Sequence, residues 1–169
     1  MMNRLKSSQT GATLIITMIF LLIMSIIGLA GMDVTGLEER MAGNMRDRNK
    51  AFQAAEAALL EGEDYLETFV ILPAFDGSDG HYALPGDGTK NWEEINWNAS
   101  NAVRTYTGVG FSELENLPAY IVEDLAAAAA SDSLEVGVPV DNKRFYRVTS
   151  RAVGQTGSSE VMLQIVYKR

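Results

Sequence analysis

The sequence predicts an α+β fold. One long N-terminal helix has a first half apolar enough to cross a membrane and a second half packed on a small C-terminal antiparallel sheet. Three observations carry this. Ala12 to Met32 is a run of 21 residues without a charge. Asp33 to Leu66 continues in Ala, Leu, Glu and Arg, residues that favour helix. Three late segments alternate side-chain character with the period of a strand.

At 169 residues the chain has room for one ordinary domain and an anchoring segment. A net charge of −8 repels phosphate, which argues against nucleic acid as a partner. The absence of cysteine excludes thiol catalysis and thiolate metal sites. The single histidine, His81, stands in a Gly/Asp-rich loop and reads as surface decoration. No G-x-S-x-G, H-E-x-x-H, P-loop or dinucleotide pattern is present. The carboxylate pairs Glu93–Glu94 and Glu123–Asp124 are adjacent, so they do not face one site and read as surface charge. The chain therefore reads as a non-enzyme without a cofactor.

Residues 1–11 form a short basic leader, with Arg4 and Lys6 ahead of the apolar run and Asp33, Glu38 and Glu39 behind it. The positive-inside rule puts the N-terminus in the cytoplasm and everything beyond Met32 outside. At ~1.5 Å per residue, residues 12–32 make a helix of roughly 30 Å, enough to span a hydrocarbon core. Three fates are open: a signal peptide removed after Gly28 or Ala30, an uncleaved anchor, or removal of the leader alone. Gly11 at the junction and helix-forming sequence beyond the span favour the last.

Residues 33–68 read as a helical stalk continuing into the head. Leu37, Met41, Met45, Phe52, Ala55 and Leu59 recur at helical spacing as one apolar face, interrupted by Arg48, which suggests a short membrane-proximal stretch exposed to partners rather than to the head. Gly28, Gly31, Gly36 and Gly43 each cost up to ~1 kcal/mol relative to alanine, which predicts fraying or a bend between Gly28 and Gly43. Glu38, Glu39, Arg40, Arg46, Asp47 and Arg48 are candidates for intersubunit contacts; as a solvated face, their pairs are worth only ~0–1 kcal/mol.

Residues 69–169 form the head. Asp76-Gly77-Ser78-Asp79-Gly80 and Pro85-Gly86-Asp87-Gly88 are turn chemistry in a long connection, with a helical turn near Trp92–Ile95. Trp92 and Trp97 are expected to pin that connection to the head. Asp76, Asp79 and Asp87 raise the question of calcium, but their spacing misses the EF-hand pattern and simple turns are the better account. Strands are expected at Ala119–Glu123, Arg144–Ala152 and Glu160–Tyr167, the last two joined by a hairpin loop at Gly154–Ser158. One face of the sheet should pack on roughly Phe52 to Phe69. Between Leu125 and Asn142, five consecutive alanines leave a short helix and a variable loop equally open.

Lys6-Ser7-Ser8-Gln9-Thr10-Gly11 followed by Ala12-Thr13-Leu14-Ile15-Ile16 resembles a prepilin signal sequence. Leu37-Glu38-Glu39-Arg40-Met41-Ala42-Gly43-Asn44-Met45-Arg46-Asp47-Arg48 with Ala51-Phe52-Gln53-Ala54-Ala55-Glu56-Ala57-Ala58-Leu59 resembles the N-terminal region of the PilX family, minor pilins of type IV pilus assembly. The match covers about a third of the chain; the last two strands are also similar to a PilX/PilW C-terminal region. The resemblance implies a pilin-like fold. It implies cleavage by a prepilin peptidase between Gly11 and Ala12, N-methylation of Ala12, and anchorage in the bacterial inner membrane with a periplasmic head. Other minor pilins, the major pilin and a large tip adhesin are the partners it suggests. Major pilins carry Glu at the fifth mature position, here Ile16; that departure is similar to minor pilins assigned to the filament tip. The alternatives are a tip pseudopilin of type II secretion, against which the chain has no room for the extra helical domain, and a membrane-tethered head binding a ligand or calcium.

Overall fold

A computed structural model describes residues 11–125 and 144–169. The elements are α1 (Ala12–Thr68), β1 (His81–Ala83), α2 (Asn91–Glu94), β2 (Arg104–Thr105), β3 (Ala119–Asp124), β4 (Phe145–Val153) and β5 (Glu160–Lys168). They fall into two compact units, Met1–Gly43 and Asn44–Arg169.

In the first unit α1 begins at Ala12, directly after Gly11, whose φ of +65° lies in the left-handed region that glycine tolerates. From Ala12 to Met32 every side chain is exposed. The hydroxyls of Thr17 and Ser25 donate to the carbonyls of Leu14 and Ser25's own upstream neighbour Leu21, at 2.9 and 2.8 Å. Such back-bonding satisfies a polar side chain inside an apolar helix without outside help. α1 is the one described helix long and apolar enough to cross a membrane, and it fits a transmembrane anchor.

The second unit is an α+β head of pilin-like kind. Strand order is β1-β3-β4-β5, with β2 also on β3. β3, β4 and β5 pair antiparallel, as expected, with an unbroken register from Val153↔Glu160 to Phe145↔Lys168 across the last hairpin, and the unforeseen β2 adds antiparallel to β3. β1 departs from the expected antiparallel sheet: His81↔Val122 through Ala83↔Asp124 pair in parallel. The long connection from Leu84 to Pro118 supplies the crossover that parallel pairing needs.

Helix packing follows the expected stripe in part: Ala55 and Leu59 turn to the core, and Leu37, Met41 and Met45, ahead of Arg48, are exposed as expected. Phe52 departs from it and is exposed. The face in contact with the sheet is instead Asp47, Ala51, Ala54, Ala55, Ala58, Gly62, Tyr65 and Leu66, spaced by three and four. Small residues win because the sheet lies very close: a Cβ on Gly62 would sit 2.5 Å from Val148 Cγ1. Large side chains from the sheet fill the space instead. Tyr120, Val122, Tyr146 and Val148 meet Ala58, Tyr65 and Leu66, while Ala152, Val161 and Leu163 meet Ala54 and Ala55.

Alternation sends Ala119 and Ile121 to the other face, where Tyr82, Trp92, Ile95 and Trp97 cover them. The two tryptophans thus pin the connection, as expected. Trp97 Nε1 donates to the Trp92 carbonyl at 3.0 Å, and the Arg147 guanidinium stacks 4.2 Å from the Trp92 ring. The expected alanine-rich helix or loop lies, beyond Leu125, outside the described residues.

Candidate functional site

The features that bear on function lie along α1. Gly11 and Ala12 stand at the start of the helix, and Ile16 is exposed on its first turns. Glu38, Glu39, Arg40, Arg46 and Arg48 are exposed, and none of them forms an ion pair or hydrogen bond among the described residues. In the first unit these charges lie beside the exposed Leu37 and Met41, and in the second beside the exposed Met45 and Phe52, so each stretch is mixed polar and apolar in character.

Asp47 differs from the other charges in that run. It is only 6% exposed and is spent within the head. Thr156 donates to it twice, from its backbone N–H at 3.1 Å to Oδ1 and from its hydroxyl at 2.9 Å to Oδ2. Gly154 allows the approach, since a Cβ there would overlap the Asp47 carboxylate. Burial pushes this carboxyl up, but hydrogen bonds from Ser159, Thr156 and Gln155 outweigh it and hold it below the usual range. Lys50, similarly, pairs with Glu113 at 2.6 Å. Farther along the helix, Glu61 accepts from Thr107 N–H at 3.0 Å, and Glu67 accepts from the Tyr167 hydroxyl at 3.0 Å.

Two sequence expectations for the head are corrected. His81 is not surface decoration: it opens β1, is buried, and shares a 2.8 Å hydrogen bond between its Nε2 and Tyr65 Oη. Burial first, and the Arg104 cation second, hold its imidazole below the ordinary range. Arg104 lies 4.2 Å over the Tyr65 ring and donates from Nε to Tyr120 Oη at 3.2 Å. Glu123 is not surface charge. It is fully buried and accepts from Arg147 Nε at 2.7 Å and Asn91 Nδ2 at 2.8 Å. That network, with Arg147 on Trp92, ties α2 to the sheet. Its sequence signal was the alternation of β4, which puts Arg147 on the face away from α1 and beside Glu123 in the register.

The calcium candidates are not brought together. Asp76 accepts from Ser78 and Asp87 from Thr89, each closing its own turn, and Asp79 sits at φ +47°. Among the described residues no group of three or more metal-ligating side chains converges.

Known families cover the chain. The PilX N-terminal family matches residues 10–60, and the family described as "Type IV pilus assembly protein PilX C-term" matches residues 48–169. No curated protein matches the chain, nor does any solved structure. A helix exposed from its first residue, a head locked to the helix by Asp47, and family matches running from residue 10 to residue 169 agree: the chain belongs to the PilX family of type IV pilus assembly proteins.

Proposed function

We propose that the chain is a minor pilin that primes type IV pilus assembly and sits at or near the filament tip. Residues 1–11 are its leader, cut by a prepilin peptidase between Gly11 and Ala12, after which Ala12 is N-methylated. Residues 12–32 cross the inner membrane with the N-terminus cytoplasmic, residues 33–68 carry the helix onward, and residues 69–169 complete a periplasmic head. Partners are the other minor pilins and the major pilin, met through Glu38, Glu39, Arg40, Arg46 and Arg48 and the exposed Leu37–Phe52 stripe. The role is structural.

One observation carries the tip assignment: Ile16 on an exposed, uncharged helix. A carboxylate there would have to be paired inside an apolar bundle, at a cost of several kcal/mol (roughly) if it were not. A subunit with no neighbour ahead of it offers no such partner, and isoleucine needs none.

Mass spectrometry of the full chain recovered from membranes tests the processing. The expected N-terminus is Ala12 bearing one added methyl; an intact Met1, or a cut after Ala30, overturns it. Deleting the gene should abolish surface pili and leave secretion of soluble exoproteins intact. The reverse result would move the chain to a secretion system.

A further inference from the structure

Inside a sheet each strand satisfies its neighbours, so the outer edges decide what is left unmatched. One edge of this sheet is closed by the chain itself. At β1 the His81 carbonyl accepts from Gly77 N–H at 2.8 Å, and its own N–H donates to the Ser78 carbonyl at 2.9 Å. Asn91 Nδ2 then donates to the Ala83 carbonyl at 2.9 Å. The opposite edge has no such cover among the described residues: β5 pairs with β4 alone.

The phase of that ladder is set at its ends. Arg144 and Arg169 exchange both backbone bonds, at 2.8 and 2.9 Å, and Gly154 N–H donates to the Ser159 carbonyl at 2.7 Å. Antiparallel alternation then turns the N–H and C=O of Val161, Leu163, Ile165 and Tyr167 toward β4. Those of Met162, Gln164 and Val166 face the open side. No proline, bulge or charge interrupts β5 between Val161 and Tyr167, although these are the usual means of blunting an edge. Met162 and Val166 add apolar side chains that are 37% and 57% exposed.

We propose that the open edge of β5 accepts an extended strand donated by another protein of the pilus assembly, a step that rests on membership of that assembly and goes beyond it. The occupant's chemistry follows from the edge. Donors and acceptors repeating at about 3.3 Å per residue are matched only by extended polypeptide. Its alternate side chains should be apolar, to meet the Met162–Val166 row on one face and Leu163–Ile165 on the other. A second copy of this chain paired antiparallel fits poorly. Within the head β5 runs the same way as α1, since Asp47 binds Thr156 just before its start and Glu67 binds Tyr167 near its end. Two β5 edges paired antiparallel would set two head helices in opposite directions, whereas subunits inserted into one membrane share a direction.

The test places a photo-crosslinking amino acid at Val166, or at the exposed loop residue Val109 as control, in the full chain in membranes that assemble pili. The expected result is one dominant adduct from position 166, mapping to an extended segment of another pilus protein, with about tenfold less from position 109. Met162→Pro removes one open-edge N–H and leaves the β4 ladder whole, so the adduct should fall about tenfold at an unchanged melting midpoint. Should that variant not fold, Met162→Lys, which leaves the backbone donor in place but charges the row, decides instead and should also weaken the adduct. An adduct to lipid, an adduct to a second copy, or a yield insensitive to these substitutions overturns the proposal. Absence of any adduct while deletion still abolishes pili overturns strand acceptance and leaves the assembly role standing.

Discussion

Gly62 is where a single methyl group tests the packing of the head most directly. In an exposed helix interior, Gly→Ala gains about 1 kcal/mol from propensity. At Gly62 the added Cβ would stand 2.5 Å from Val148 Cγ1 and 3.0 Å from Tyr120 Cδ2, against ~3.5–4.0 Å for an ordinary carbon contact. About 1 Å of movement is therefore demanded of Val148, which is fully buried in a strand paired on both sides. Overpacking of this kind costs about 1–3 kcal/mol, so Gly62→Ala should be a net loss of ~0–2 kcal/mol, or several degrees in melting midpoint at roughly 3–6 °C per kcal/mol. Gly43, with nothing within 4 Å of its would-be Cβ, is the matched control and should gain from the same change. Thermal unfolding of the full chain in detergent, followed by circular dichroism, reads both. Removing the obstructing methyl with Val148→Ala should make Gly62→Ala less costly than in the parent, giving a favourable coupling in the double-mutant cycle. If Gly62→Ala raised the midpoint as much as Gly43→Ala, the close approach of helix and sheet would be refuted.

Arg147→Met leaves the Glu123 carboxylate buried without its cation, and denaturant unfolding should show a loss of about 3 kcal/mol, partly recovered by adding Glu123→Gln. Among the described residues Ser150 Oγ is buried with no hydrogen-bond partner, so Ser150→Ala should be neutral or stabilising by about 1 kcal/mol in the same assay. His81 and Asp47 both have folded pKa values below their ordinary ones, so for each the unfolded chain takes up the proton first. Stability is then complete at neutral pH and falls in two windows, below about pH 6.5 for His81 and below about pH 4 for Asp47. His81→Asn should flatten the first limb and Asp47→Asn the second, whatever each does to stability at neutral pH.

Much of this architecture was legible in the residues. The uncharged run from Ala12 and the alternation in β3, β4 and β5 are long signals, and they put the helix and three strands where they stand. β1 and β2, three and two residues long, are too short to show a period and lie within turn-rich sequence. Their pairing is set by β3, which is far away in the chain. Phe52 was misread as a core residue because hydropathy gives weight to large apolar side chains, whereas close packing selects alanine and glycine. Neighbouring carboxylates hid Glu123 in the same way: Arg147, 24 positions later, is what makes its burial tolerable. Of the candidate charges, Asp47 could be separated from its neighbours only by knowing that the Gly154 turn reaches it.

A face of alanines is nearly smooth, and a smooth rod can slip. Gly62 acts as the notch that prevents it. Were the sheet displaced by one turn of the helix, about 5.4 Å, either Ala58 or Leu66 would arrive under Val148, where no Cβ fits. Asp47, Glu61 and Glu67, bonded to Thr156, Thr107 and Tyr167, would lose their partners at the same moment. A pull along the helix axis therefore loads one steric stop and three polar ties together, in shear, and the head resists as a single piece.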